Sequence, residues 1–190
     1  MQALDSLTVQ NLPYPNDWIK DVPRVYVSCL AAYNAGIYHG AWIEATDEDE
    51  MMENINYILS QSPIPNAEEW MFNDFMEFEG ANVGEYTPVE EVVRIGQAIE
   101  KHGKAYVLYH GYHGNDTTVK QFEEDYLGCY ENEEDFVYQQ LDDMGVIKRA
   151  EEIGLNPSYI DYSQIALDWF IESYLAFRTA YNKCHVFLRR

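Results

Sequence analysis

The chain has 190 residues, with 12 Lys and Arg against 33 Asp and Glu, a formal net charge of −21 and a pI near 4.3. Hydrophobic residues make up 47% and aromatics 15%, enough to bury a core, so wholesale disorder is excluded. A surface this negative repels phosphates, which excludes direct nucleic-acid binding through a basic patch and docking on an anionic membrane.

Pro13, Pro15 and Pro23 mark residues 1–23 as an N-terminal extension, and residues 1–10 show no basic-then-apolar leader, which predicts a cytoplasmic protein. Residues 24–29 alternate like a half-buried strand, and a second strand is expected over 37–44. Thr46 is the expected cap of a helix whose first turn, Asp47, Glu48 and Asp49, suits the macrodipole. Its apolar stripe is Met51, Ile55, Ile58 and Leu59, and the Pro-rich residues 62–65 close a small α/β module, 24–64.

A helical module is expected over 65–103. Asn66 with Glu69 opens a helix carrying Trp70 and Phe75 that Gly80 closes. Thr87, Pro88 and Glu90 form the start signature of another helix, with Val89, Val92, Val93, Gly96 and Ile99 at helical spacing up to Gly103. The third module, 104–190, opens with a strand pattern over 104–110 and a Gly-rich turn around Gly111 and Gly114. Helices follow over 117–126, 132–144 and 162–172, then strands over 174–178 and 183–188 joined as a hairpin. No apolar run nears the roughly 20 residues of a membrane-spanning helix. The expected class is α+β, three small modules with short antiparallel sheets and several helices.

Conventional catalytic motifs are missing: no GxxxxGK[ST], GxGxxG or GxSxG occurs. Cys29, Cys129 and Cys184 are widely spaced with no CxxC, which suits a reducing compartment rather than a disulfide framework, and Cys29 on its candidate strand reads as a small buried hydrophobe rather than a nucleophile. His110 and His113 have a metal-compatible spacing that Cys129 or His185 could extend, but no second ligand pair of defined spacing exists, so no metal and no cofactor is assigned. The acidic run after Thr46 fails as a calcium loop, because its sixth and twelfth residues from Asp47 are Met52 and Ile58. The sequon at Asn115 is an accident of composition without a secretion signal. The abundant Tyr residues read as core filler with a polar handle.

Charge placement says more than the total. Residues 25–93 carry 14 carboxylates and no Lys or Arg, residues 121–147 nine and none, and residues 151–177 five and none. Local i,i+4 pairs cannot neutralise such stretches, so their field is uncompensated. A solvated acidic surface and a surface that uses its field both fit.

The stretch Arg24-Val-Tyr-Val-Ser-Cys-Leu-Ala-Ala-Tyr-Asn-Ala-Gly-Ile-Tyr-His-Gly-Ala-Trp-Ile43 resembles the opening of the ArdA antirestriction proteins. Ser62-Pro-Ile-Pro-Asn-Ala-Glu-Glu-Trp70 and Gly84-Glu-Tyr86 are similar to later segments of that family, and Phe122-Glu-Glu-Asp-Tyr-Leu-Gly-Cys-Tyr-Glu-Asn-Glu-Glu-Asp-Phe136 is similar to its antirestriction motif. Ile160-Asp-Tyr162 and the ending His185-Val-Phe-Leu-Arg-Arg190 complete a resemblance over about residues 24–190; Cys129 is unexpected within it.

The resemblance implies a protein of mobile genetic elements that inhibits Type I restriction-modification enzymes by imitating B-form DNA, an elongated chain of three small modules acting as a homodimer joined near the third module. It implies no catalysis. Two copies would carry −42, equivalent to about 70 Å of duplex or roughly 21 base pairs at one charge per ~1.7 Å. Drawn from the base-free segments, the expected phosphate surrogates are Asp47, Glu48, Asp49, Glu50, Glu68, Glu69, Asp74, Glu77 and Glu79 in the first half of the chain. In the second half they are Glu123, Glu124, Asp125, Glu131, Glu133, Glu134, Asp135, Asp142 and Asp143. The alternative is a generic acidic interaction module binding other DNA-binding proteins.

Overall fold

Val25, Val27 and Cys29 are fully buried in β1 (Arg24–Cys29), the central strand of the first sheet. The structure is a computed structural model describing residues 22–114 and 117–190; most of the N-terminal extension, and Asn115 and Asp116 of the sequon, lie outside the described residues. β1 pairs antiparallel with β2 (Gly40–Glu44) on one edge and β3 (Trp70–Met76) on the other, and a short helix, α1 (Leu30–Asn34), leads from β1 toward β2.

The chain divides into two compact units at residues 115/116. In the first, α2 (Glu48–Ser60) buries Met51, Ile55 and Ile58 against β1 and β2, the stripe its spacing predicts. α3 (Val89–His102) buries Val92, Val93, Ile95, Gly96 and Ile99, and α4 (Lys104–His113) packs against it after a reversal at Gly103, whose φ of +59° favours glycine. Gly96 is where α3 meets the corner after β2: a Cβ there would lie 2.0 Å from the Ala45 carbonyl oxygen, and Gln97 Nε2 donates to the Thr46 carbonyl at 2.8 Å.

The second unit comprises α5 (Val119–Asp125), β4 (Tyr126–Tyr130), α6 (Glu133–Asp143), α7 (Val146–Glu152), a 3-10 turn (Pro157–Tyr159), α8 (Tyr162–Glu172), β5 (Tyr174–Ala180) and β6 (Lys183–Leu188). Its sheet runs β4-β6-β5, all antiparallel. Phe136 of α6 is fully buried and meets Tyr130, Trp169, Phe170 and Tyr174 edge to face, with ring centroids 4.9 to 6.2 Å apart. Such pairs add about 0.5–1.5 kcal/mol each beyond burial.

Among the described residues there are eight helices and two three-stranded antiparallel sheets, so the fold is α+β, as expected. No helix among them is long and apolar enough to cross a membrane.

Several local expectations are corrected. The helix expected after Asn66 is strand β3, and Asn66 itself has φ +59°. The open edge of β1 supplies a ladder that outweighs a capping signal, with a register shift where Tyr26 faces Asp74 and Val27 faces Phe72. The strand expected over 104–110 is helix α4, because a short apolar run does not reveal its period and this one packs on α3. Asp47, not Thr46, caps α2, accepting from the Glu50 N–H at 3.0 Å. Thr87 does not cap α3; its Oγ1 accepts from the Gly84 N–H. α5 ends at Asp125, and the chain continues into β4, a strand the Gly128 stop signal concealed. The helices over 132–144 and 162–172 and the final hairpin stand where expected.

Gly96→Ala should destabilise the protein by about 1–3 kcal/mol, since the Ala45 backbone must shift to admit the methyl group. Chemical denaturation read by circular dichroism measures this, and an unchanged midpoint would mean α3 does not rest on that corner.

Candidate partner-binding surface

Residues 22–114 hold 15 carboxylates against four Lys and Arg, and residues 117–190 hold 14 against seven. Of these 29 carboxylates 24 are exposed, so nearly all the negative charge faces outward. The less exposed ones are mostly the ones arginine neutralises. Arg24 pairs with Glu44 at 3.0 Å, across the directly opposed positions of β1 and β2. Arg94 grips both oxygens of Glu91 at 2.6 and 3.0 Å and also donates to Tyr106 Oη. Arg190 Nε lies 2.6 Å from Oδ1 of the buried Asp125. Arg178 clamps Glu133, with Nε 3.0 Å from Oε2. Burial pushes the Glu133 carboxyl up, but the hydrogen bonds and charge of Arg178 outweigh it and hold the group below the usual carboxylate range.

The eighteen expected surrogates therefore fall into three sets. Asp47, Glu48, Asp49, Glu50, Glu68, Glu69, Asp74, Glu77, Glu79, Glu123, Glu124, Glu131, Glu134, Asp142 and Asp143 are exposed. Glu133 and Asp135 are half-buried, Asp135 accepting from the N–H of Glu131 and from Gln139. Asp125 is 1% exposed and paired to Arg190, so it ties the chain end to α5 and offers no charge to a partner. Glu53, Glu85, Glu90, Glu100, Glu151, Glu152, Asp161, Asp168 and Glu172 are equally exposed and were not singled out, since nothing in the sequence separates them from the clustered acids.

Local structure explains how the clusters are held. The acids at the start of α2 sit where the helix dipole favours anions. Glu77 and Glu79 have left-handed backbones, φ +59° and +53°, around the buried Phe78, and Lys104 donates to the Glu79 carbonyl. In the second unit, the segment 122–136 runs from the last turn of α5 through β4 into α6. Its Phe122 and Phe136 are fully buried while Glu123, Glu124, Glu131 and Glu134 point to solvent. α6 is acidic at both ends: Glu133, Glu134 and Asp135 fill its first turn, and Asp142 and Asp143 follow with no base in its last turn. The latter pair opposes the dipole, at about 0.3–1 kcal/mol each.

No group of three or more His, Cys, Asp or Glu among the described residues is arranged to hold a metal ion. His113 is exposed and lies 4.3 Å from the Tyr109 ring, while His110 is buried with its Nε2 3.9 Å from Glu91. Burial pushes the Cys184 thiol up to about 11, so it is inert as a nucleophile at neutral pH. Cys29 is buried with its sulfur 3.2 Å from Ser62 Oγ. Cys129 is exposed on β4, opposite His185, whose Nδ1 bonds Tyr126 Oη at 3.0 Å.

Residues 25–183 match the family described as antirestriction protein (ArdA), more than four-fifths of the chain. The chain belongs to the ArdA antirestriction family. Membership implies inhibition of restriction enzymes. No individual curated protein matches the chain.

Two outcomes follow. Asp142→Lys with Asp143→Lys should raise stability by about 0.6–2 kcal/mol in low salt by replacing charge opposed to the α6 dipole with charge that suits it, measured by urea denaturation. His110 is held below the ordinary histidine value first by burial, then by the Arg94 charge, against the pull of Glu91. The unfolded chain therefore binds a proton more readily, and this residue's contribution to stability falls as pH drops through about 6.5. The melting temperature of His110→Phe relative to wild type should accordingly rise between about pH 7.5 and pH 5.5; a constant difference would show that His110 does not titrate differently on folding.

Proposed function

We propose that the protein inhibits Type I restriction-modification enzymes by occupying their DNA-binding cleft as a mimic of B-form DNA, without catalysis, in the cytoplasm of a cell carrying a mobile element. The observation that carries this reading is the outward placement of 24 of 29 carboxylates while arginine neutralises half-buried Glu44, Glu91 and Glu133 and buried Asp125. A basic DNA cleft recognises a dense negative surface before anything else, and such a field steers association. Affinity is then spread over many weak contacts.

The working form in this reading is a homodimer. Support comes from the α7 region, where Met144, Ile153 and Leu155 are exposed by 63%, 81% and 43%. Two copies would also double the charge available to one long cleft.

The test mixes purified protein with a Type I enzyme and DNA carrying its site, following cleavage and methylation across a salt series, with light scattering reporting mass. Inhibition near stoichiometric dimer, relieved by added DNA and weakened by salt, is expected. Replacing Glu123, Glu124, Glu131 and Glu134 together with Lys should weaken inhibition by about tenfold or more, and any single Glu→Gln by less than about twofold. Salt-independent inhibition, or abolition by one neutralisation, would replace mimicry with a localised site. Binding to unrelated DNA-binding proteins with equal affinity would favour a generic acidic module.

A further inference from the structure

The second unit carries a cleft of about 1070 Å³ between the start of α6, the outer face of α8 and the β5–β6 hairpin. Its walls are of two kinds. Leu167 and Ile171, one turn apart on α8, are 57% and 63% exposed, and Tyr181 at the hairpin tip is 96% exposed. Glu131, Glu134 and Asp161 line the same cleft, all exposed. Its one base, Arg178, is committed to Glu133.

We infer that this cleft docks a basic amphipathic helix of the protein partner, an anchor that duplex DNA has no counterpart for, with Leu167, Ile171 and Tyr181 taking its apolar stripe and the acidic rim its Lys and Arg. The inference rests on the reading that the partner is a DNA-handling enzyme, whose binding surface is basic. Charge decides the occupant. Nucleic acid is repelled by the rim. A second copy of the same cleft would bring Glu131, Glu134 and Asp161 against their own equivalents, with the one base already paired. A cationic helix with an apolar face satisfies both walls, and α8, eleven residues and about 16 Å long, offers it about three turns of contact. The consequence is a fraction of the affinity that salt does not screen, because Debye screening acts on charges and not on apolar burial.

The test uses the full chain and two probes: a Type I restriction enzyme in the inhibition assay, and a labelled synthetic Leu/Lys helix read by fluorescence anisotropy, with a Ser/Lys peptide of equal charge as control. Leu167→Ser with Ile171→Ser should lose about tenfold in inhibition, by the same factor at low and high salt, with unchanged mass in light scattering. Glu131→Gln with Glu134→Gln should instead show a loss that shrinks as salt rises. The wild type should prefer the Leu/Lys peptide, and the Ser variant should lose that preference. Leu167→Gln alone, at an exposed position, serves if the double variant unfolds. Equal binding of the two peptides by the wild type, or inhibition by the double variant equal to wild type, would overturn the cleft. So would a change of mass in the double variant, which would make this face a contact between copies. Peptide preference without restriction inhibition would uphold the cleft and sink the restriction-enzyme reading; the reverse would sink the cleft alone.

Discussion

Arginine placement is the constraint on which the molecule rests. A carboxylate withdrawn from water needs a partner, whereas one left in water costs the fold only long-range repulsion. Arg24, Arg94 and Arg178 each hold a half-buried carboxylate, and Arg190 holds the buried Asp125. With 12 bases for 33 acids, that use leaves the exposed acids to set the field. The pairs also join elements: Arg24–Glu44 fastens two strands, Arg178–Glu133 a strand to a helix start, and Arg190–Asp125 the chain end to α5.

The segment 122–136 shows how one stretch serves core and surface together. Phe122 packs with Phe187, its ring 6.0 Å away, and Phe136 is the hub of the second unit's aromatic core. Between them the chain turns from helix to strand to helix, which throws Glu123, Glu124, Glu131 and Glu134 outward on different elements. The aromatics fix the position of the acids, so a change in this segment acts on stability or on charge according to which way the side chain points.

α6 shows that the charge is not arranged for stability alone. Its Asn132 cap accepts from the Asp135 N–H, and its first-turn acids suit the dipole, yet Asp142 and Asp143 at the other end oppose it. The exposed apolar side chains of the second unit make the same point, since Leu167, Ile171 and Tyr181 give up burial within the chain. Both features fit a surface shaped by what binds it.

The sequence by itself determined the composition class, the excess of acid, and the elements whose local signals agree with their packing: β1, α2, α6, α8 and the final hairpin. Most of the candidate surface was legible for the same reason, because a carboxylate with no nearby base stays in water unless an arginine comes from far along the chain. Only the tertiary structure decided the exceptions. Arg190 reaches Asp125 from 65 residues away and takes it inside, a pairing no local pattern encodes. Residues 70–76 became a strand because β1 had an open edge, and residues 104–113 a helix because α3 offered an apolar face. In each case a short apolar segment adopts whichever period its neighbour can bury, and that neighbour is known only once the chain has folded.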